Sequence, residues 1–480
     1  MTDDWQRLSP RMLLVHPVHE VLRQIPVLIG SFVLGSATGN PLWAVFGIVL
    51  IVAYGLARWF TTTYRIGADD VALRSGVLQR KVVSLPRNRI RSVSTDARLL
   101  HRLLGLTVVT VSTGQQASTE TAFALDAVPA AEVPRLRATL LAESLVPAAT
   151  STPGRVLARW QPSWLRYSPL TFAGVVTIAA AAGVLTQAGL LRAVEDSPWA
   201  RAGAGVVDTF GVPAVVAAVA IALVLASVAL SVTQSLLTYA NLVLRRDADI
   251  LHLSHGLVRI REHTFDMRRL RGGTLREPLL VRLFGGMRLD AVMTGVSGVG
   301  EASQLLPPCP RVTATTVLQD LIGQPDLVDG PLRPHGPAAV RRRWIRAMAL
   351  PVTAALALGV TAFAATVPGW AWVVVGVLAL AAAGLAADRS RALGHRVGNG
   401  WLATRAGSLS RRRDCVVGAG VVAWTVRQTW PQRRAGVATL VAATAAGVKR
   451  YEVVDVPADQ AWAIAAAVSP WVSASSWARD

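Results

Sequence analysis

Six glycines set in three pairs constrain this chain more than any other feature. Gly76 and Gly105, Gly256 and Gly285, and Gly407 and Gly436 each stand 29 residues apart. An arginine (Arg102, Arg282, Arg433) lies three positions before each second glycine. Each pair falls in a polar module that follows two apolar stretches, so one unit is used three times. The period is too long for a solenoid, whose repeats run to about 20–50 residues, and it implies copies of a whole domain.

Composition places that repeat at a membrane. The 480 residues are 52% hydrophobic and only 16% charged, with a mean hydropathy of +0.42. Soluble chains carry about 25% charged residues. The net charge of +20 would suggest nucleic acid in a soluble protein, but basic cytoplasmic flanks explain it in an integral membrane protein, so no nucleic-acid partner is expected. Of the 49 basic residues only Lys81 and Lys449 are lysines, a genome-wide style of bias that weakens arginine identity as a sign of phosphate recognition. Cys309 and Cys415 fall in different modules and build neither a disulfide framework nor a zinc site. No cleavable leader is expected, because His16, His19, Glu20 and Arg23 precede the first apolar stretch.

Six spans in three hairpins are predicted. The first pair is 24–38 and 42–57 around Asn40-Pro41, the second 169–191 and 212–236, and the third 347–367 and 370–387 around Pro368-Gly369. The first arm is short, about 22 Å against a hydrocarbon core near 30 Å, and requires snorkelling of Arg23 and Arg58 or local thinning. Among basic residues only Arg192 and Arg201 fall on the hairpin loops, whereas Arg155, Arg159, Arg166, Arg341, Arg342, Arg343 and Arg346 lie on the other side. That asymmetry predicts cytoplasmic termini and modules. No ionisable side chain lies in the apolar body of a span, which argues against an ion-coupled transporter or an intramembrane protease. Gln187, Gln234 and the threonines read as helix–helix hydrogen-bonding groups.

Within module one, strands are expected at 61–66, 71–74, 77–85, 90–95, 106–112 and 121–126. A short helical turn at 98–104 ends at Gly105, and an amphipathic helix at 130–142 closes the module. Module two follows the same plan, with its helical turn at 279–284; module three closes on a helix at 460–468. The glycines recur where tight turns require positive φ.

The residues that carry these turns resemble a known family. Tyr64, the run Leu73-Arg74-Ser75-Gly76-Val77-Leu78-Gln79-Arg80-Lys81, Leu85-Pro86, Arg89-Ile90-Arg91-Ser92-Val93 and Arg102-Leu103-Leu104-Gly105-Leu106 look like the bacterial pleckstrin-homology-like (bPH2) domain of membrane proteins. The match is closest over module one, then module two, then module three. Asp266 and Val417 stand where module one has Pro86, Gly286 and Val437 where it has Leu106, and Gly420 and Val422 where it has Arg89 and Arg91. The resemblance implies a seven-stranded barrel with one capping helix behind a transmembrane hairpin. The expected fold is therefore an α+β membrane protein: six transmembrane helices in three hairpins, each hairpin followed by a PH-like antiparallel β-barrel capped by a C-terminal helix. Residues 1–60 hold the N-terminal segment and hairpin one, 61–145 module one, 146–168 a linker and 169–240 hairpin two. Residues 241–325 form module two, 326–344 a linker, 345–388 hairpin three and 389–480 the divergent module three.

Catalytic constellations are not found. Asp69/Asp70 and Asp247/Asp249 sit where turns are needed and where Asp is favoured. His16 and His19 lack a third ligand, and His252, His255 and His263 lack a partner motif. The glycine-rich run 295–300 follows neither dinucleotide nor Walker spacing. No enzyme activity, metal or cofactor is expected. What remains is a basic surface: Arg80, Lys81, Arg87, Arg89 and Arg91, matched in module two by Arg259, Arg261, Arg268, Arg269 and Arg271. Its expected partners are the bilayer, anionic lipid headgroups, and another PH-like membrane protein or a second copy. The function read from this is a scaffold at the inner leaflet of the cell membrane. An export or envelope-stress component is the competing reading, and association through barrel edges stays open.

Overall fold

A computed structural model describes residues 5–9 and 49–136 in part, and 154–187, 211–295 and 303–474 almost throughout. The first predicted hairpin lies outside the described residues except for helical residues 49, 53 and 57, and His16 and His19 lie outside them too. The chain forms two compact units, Met1–Arg159 with Leu237–Arg269, and Trp160–Leu236 with Leu270–Asp480. The division falls inside module two.

In the first unit, β1 (Gln6–Arg7), β2 (Thr63–Ile66), β3 (Asp70–Ser75) and β4 (Lys81–Pro86) form an antiparallel sheet in chain order. β5 (Ser92–Ala97), α1 (Leu99–Leu103), β6 (Leu106–Ser112) and β7 (Phe123–Pro129) complete the strands of module one. β8 (Arg155–Arg159), β9 (Val243–Asp247), β10 (Ile250–His255) and β11 (Ile260–Asp266) are the next four strands. They join β5 to β7 in a seven-stranded sheet ordered β7-β6-β5-β11-β10-β9-β8. Val71, Ile90, Val93, Leu106, Val109 and Leu125 make a buried core against which Leu73, Val83 and Leu85 pack. A 3-10 turn at Ala130–Glu132 leads into helical residues 133–136, where a closing helix is expected.

The second unit holds most of the helices. Two 3-10 segments, Pro162–Tyr167 and Pro169–Thr171, precede α2 (Ala173–Gln187), so the helix starts four residues later than expected. α3 (Val212–Tyr239) packs on α2 through small residues: the Gly174 N–H donates to Ser231 Oγ at 2.8 Å, and Gln234 Nε2 donates to Thr177 Oγ1 at 2.9 Å. Next come β12 (Leu270–Pro278), α4 (Leu279–Leu283), β13 (Gly286–Met293), β14 (Gln304–Pro310), α5 (Arg311–Ile322) and α6 (Pro325–Asp329). α7 (Pro337–Ala364) and α8 (Gly369–Ala392) form the third hairpin. Module three follows as β15 (Gly394–Gly398), β16 (Trp401–Ala406), β17 (Ser410–Val417), β18 (Val421–Arg427), α9 (Trp430–Arg434), β19 (Val437–Thr444), β20 (Arg450–Pro457) and α10 (Ala461–Val468). Its sheets are ordered β14-β13-β12-β17-β16-β15 and β18-β19-β20.

Three strands, a turn, one strand, a short helix and two strands thus recur in all three modules. The six repeat glycines all have positive φ: +126°, +114° and +103° at Gly76, Gly256 and Gly407, and +67°, +73° and +66° at Gly105, Gly285 and Gly436. At Gly256 a Cβ would also fall 2.0 Å from the Arg259 carbonyl oxygen, so the turn has no room for a side chain.

Two expectations need correction. Closed barrels are not formed: among the described residues no sheet closes, because β11 and β17 pair with strands of the preceding module. Six spans are likewise not supported. Three described helices, α3, α7 and α8, are long and apolar enough to cross a membrane. At 28, 28 and 24 residues they reach about 42, 42 and 36 Å, more than a hydrocarbon core of about 30 Å. Away from the faces on which they pack, they carry large exposed apolar side chains, as at Ile221, Leu225, Leu356, Phe363 and Leu380, the pattern expected of a helix solvated by lipid. The described part of α2 is 15 residues long.

Candidate functional site: the polar base of the third hairpin

Helix α7 starts ten residues before its apolar stretch, because Gly336 (φ +88°) and Pro337 supply a start signal and proline is favoured at the first helical position. This early start carries Arg342 and Arg343 as helical residues below the apolar body. Arg342 Nη1 donates to Asp455 Oδ1 at 2.7 Å, and Arg343 Nη2 lies 3.1 Å from Oδ2. Asp455 is fully buried, 0% exposed, near the end of β20 with φ +56°. A second hydrogen-bond donor to Oδ1 is Gln432 Nε2, at 2.9 Å. Gln432 is fixed by a capping box, its Oε1 accepting from the Thr429 N–H at 2.9 Å as α9 begins.

At the other end of the hairpin, Asp388 on the last turns of α8 accepts from Arg282 of α4 at 3.0 Å and from Arg411 of β17 at 2.6 Å. One carboxylate on the helix and one on the sheet therefore bind the helical pair to modules two and three. Arg342 and Arg343, read from sequence as part of a basic flank, thus have a second role: they neutralise a buried acid.

Beside Asp455, His335 Nδ1 lies 2.7 Å from the Val454 carbonyl oxygen and Nε2 lies 3.0 Å from His395 Nδ1. A carbonyl only accepts, so His335 carries its proton on Nδ1, and the bare Nε2 accepts from His395. Burial first, then the His335 ring and Arg333, push His395 down to about 4. Burial also lowers His335, with Arg343 adding to the effect. Both rings are neutral at pH 7 and serve as a locked hydrogen-bond relay to backbone.

The basic residues singled out from sequence are dispersed. Arg80 and Lys81 are exposed at the start of β4, and Arg87 is buried. Arg89 and Arg91 lie outside the described residues. Arg259 pairs with both oxygens of Asp96. Arg268 and Arg269 share Asp266 at 3.1 and 3.5 Å. Arg261 is half-buried on β11, and Arg271 is half-buried close to Gly420. Asp70 accepts from Ser84 at 2.7 Å and pairs with Arg65 at 3.4 Å, and Asp247 pairs with Arg245 at 2.6 Å, so these acids brace turns. His252, His255 and His263 fall on β10 and β11 in the first unit; burial, then His255 and Arg261, push His263 down to about 4. Cys309 and Cys415 are free and buried, and burial pushes both thiols up to about 12. Among the described residues no group of three or more histidine, cysteine or acidic side chains is placed to hold a metal.

Comparison with known families agrees with this architecture. The bacterial PH domain model matches residues 23–144 and 349–470, just over half of the chain, and the chain belongs to that family. The first match takes in the stretch where hairpin one is predicted and module one behind it, and the second takes in most of the third hairpin and module three. The expected ranking of modules is corrected here: module three is matched, whereas module two lies outside both regions. Module two nonetheless has the strand order of the other two. No curated protein and no solved structure matches the chain.

Proposed function

We propose that the chain is a non-enzymatic, multi-pass scaffold of the cell membrane, with its PH-like modules held on the cytoplasmic side against anionic lipid headgroups. The carrying observation is the clamped base of the third hairpin, where Asp455 and Asp388 tie apolar helices to modules through four arginines. Such ties fix where a module stands relative to a bilayer and perform no bond chemistry. Of the basic residues in question, Arg80 and Lys81 are the exposed adjacent pair, suited to the inner leaflet, where each cation contributes about 1 kcal/mol.

The test uses the full chain in nanodiscs of mixed zwitterionic and anionic lipid, followed by quantitation of lipids that remain after detergent exchange. Enrichment of anionic lipid that drops in Arg80→Ala/Lys81→Ala supports the reading. Equal enrichment in both proteins refutes it.

A further inference from the structure

Two seams join neighbouring modules, and they follow one rule. In the first, β11 of module two pairs antiparallel with β5 of module one; in the second, β17 of module three pairs antiparallel with β12 of module two. Each time the third strand of one module adds to the fourth strand of the module before it. The registers agree as well. Counted from the first glycine of each module, Phe265 is at offset 9 and its partner Ser92 at 16, and Val416 is at 9 and its partner Gly272 at 16. A ladder bulge also falls at the same position, Arg271 in module two and Val422 in module three.

Among the described residues, three modules in a row leave one edge of each kind unused. β4, the third strand of module one, ends the sheet β1-β2-β3-β4, and β18, the fourth strand of module three, ends the sheet β18-β19-β20. The seven-stranded sheet is itself a three-stranded half, β7-β6-β5, joined to a four-stranded half, β11-β10-β9-β8. The two unused sheets have three and four strands. Exposure follows the same division: β11 has no exposed residue and β17 one, whereas Lys81, Val82, Ser84 and Pro86 on β4 and Val422, Ala423, Thr425 and Arg427 on β18 are exposed. Val82 is 53% and Val422 69% exposed, a heavy apolar load for open edges.

We infer that β18 of one copy pairs with β4 of a second copy, repeating the internal seam between chains. The shared register places Leu85 opposite Ala423, Val83 opposite Thr425, Val82 opposite Val426, and Lys81 opposite Arg427. The two edges differ, so the contact is head-to-tail and propagates into a ring or an open row. Anchorage in one bilayer raises the effective concentration of copies for so short a ladder. Its charge end is the weak point. In the first seam the equivalent pair is Arg261 with Asp96, and in the second Arg276 and Arg412 face each other but hold Asp290 and Asp414 at 2.6 and 3.1 Å. Lys81 opposite Arg427 has neither relief.

The experiment is disulfide trapping of the full chain in membranes, with Cys309 and Cys415 left in place because both are buried. One tagged copy carries Val83→Cys and a differently tagged copy Thr425→Cys; Val82→Cys with Val426→Cys samples the alternate rung, since only some cross-strand pairs suit a disulfide. A mixed dimer from either in-register combination, absent from each variant alone and from Val83→Cys mixed with Val422→Cys, is expected. A chain carrying both cysteines is then expected to give dimers, trimers and higher rungs. Lys81→Glu should raise the yield about fivefold by replacing repulsion with attraction, and Lys81→Glu/Arg427→Glu should return it to the starting level. No cross-link in either combination, a bond closed within one chain, or dimers of Val83→Cys alone each overturn the inference.

Discussion

Asn in place of Asp455 tests the clamp with little else disturbed. The residue sits at φ +56°, where an ordinary side chain is strained, but Asn tolerates that region and keeps a carbonyl oxygen for Arg342 and Gln432. What the substitution removes is the negative charge between two arginines that are almost out of solvent. Breaking a buried pair from one side costs about 3–5 kcal/mol, because the surviving charge stays desolvated. At the lower figure the opening equilibrium of module three rises about 150-fold. Cys415 reports that opening: it is buried in β17, and its thiol is pushed up to about 12, so labelling waits on exposure. The assay is the rate of Cys415 alkylation in the full chain in detergent, read by peptide mass spectrometry in denaturant-free buffer. Asp455→Asn should label about 100-fold faster, and Asp455→Ala faster still because alanine adds backbone strain. A change below about threefold would refute the claim that the carboxylate holds the hairpin to the module.

Other outcomes follow from the same geometry. His395, with an ordinary value of 6.5 and a folded value of about 4, is neutral when folded; its unfolded form takes up the proton first as pH falls. Stability is therefore full above about pH 6.5 and drops by about 3 kcal/mol towards pH 4, and a His395→Asn protein should show a flatter melting-temperature profile across that window. Gly256→Ala should destabilise by about 2 kcal/mol or more, since its Cβ meets the Arg259 carbonyl at 2.0 Å, whereas Gly285→Ala meets nothing within 4 Å and should cost only about 1 kcal/mol; chemical denaturation compares the two. Gly174→Leu should part α2 from α3, because its Cβ would fall 2.0 Å from the Ser227 carbonyl oxygen, and loss of a cross-link between cysteines at Thr177 and Gln234 would register it.

Backbone requirements are the most legible part of this chain. All six repeat glycines have the positive φ that their spacing implies, and the strand at Leu106–Ser112 lies where its alternation puts it. These signals are local: a turn or a pleat is written in a handful of adjacent residues. The third hairpin is readable by its apolar run, yet α7 begins at Pro337 because a glycine–proline start outweighs the arginines that follow. Asp388 and Asp455 leave no sequence sign, since their partners lie 23, 106 and 113 positions away and only folding joins them. Arg259 looks like open surface for a related reason: the acid that claims it, Asp96, lies 163 positions away, whereas Asp266 stands only two and three positions from Arg268 and Arg269 and that local signal could have been read. Closed barrels are a misreading because a strand's sequence records that it will pair, not with which module.

The seam between β5 and β11 imposes a delay on synthesis. Ser92 leaves the ribosome 173 residues before Phe265, the strand partner it awaits. At elongation rates of about 5–20 residues per second, the nascent edge stands open for about 10–35 s while the intervening residues are made. Any translational pause placed between those two strands would lengthen that interval, and the cell would feel it as a greater demand for chaperones on the nascent chain.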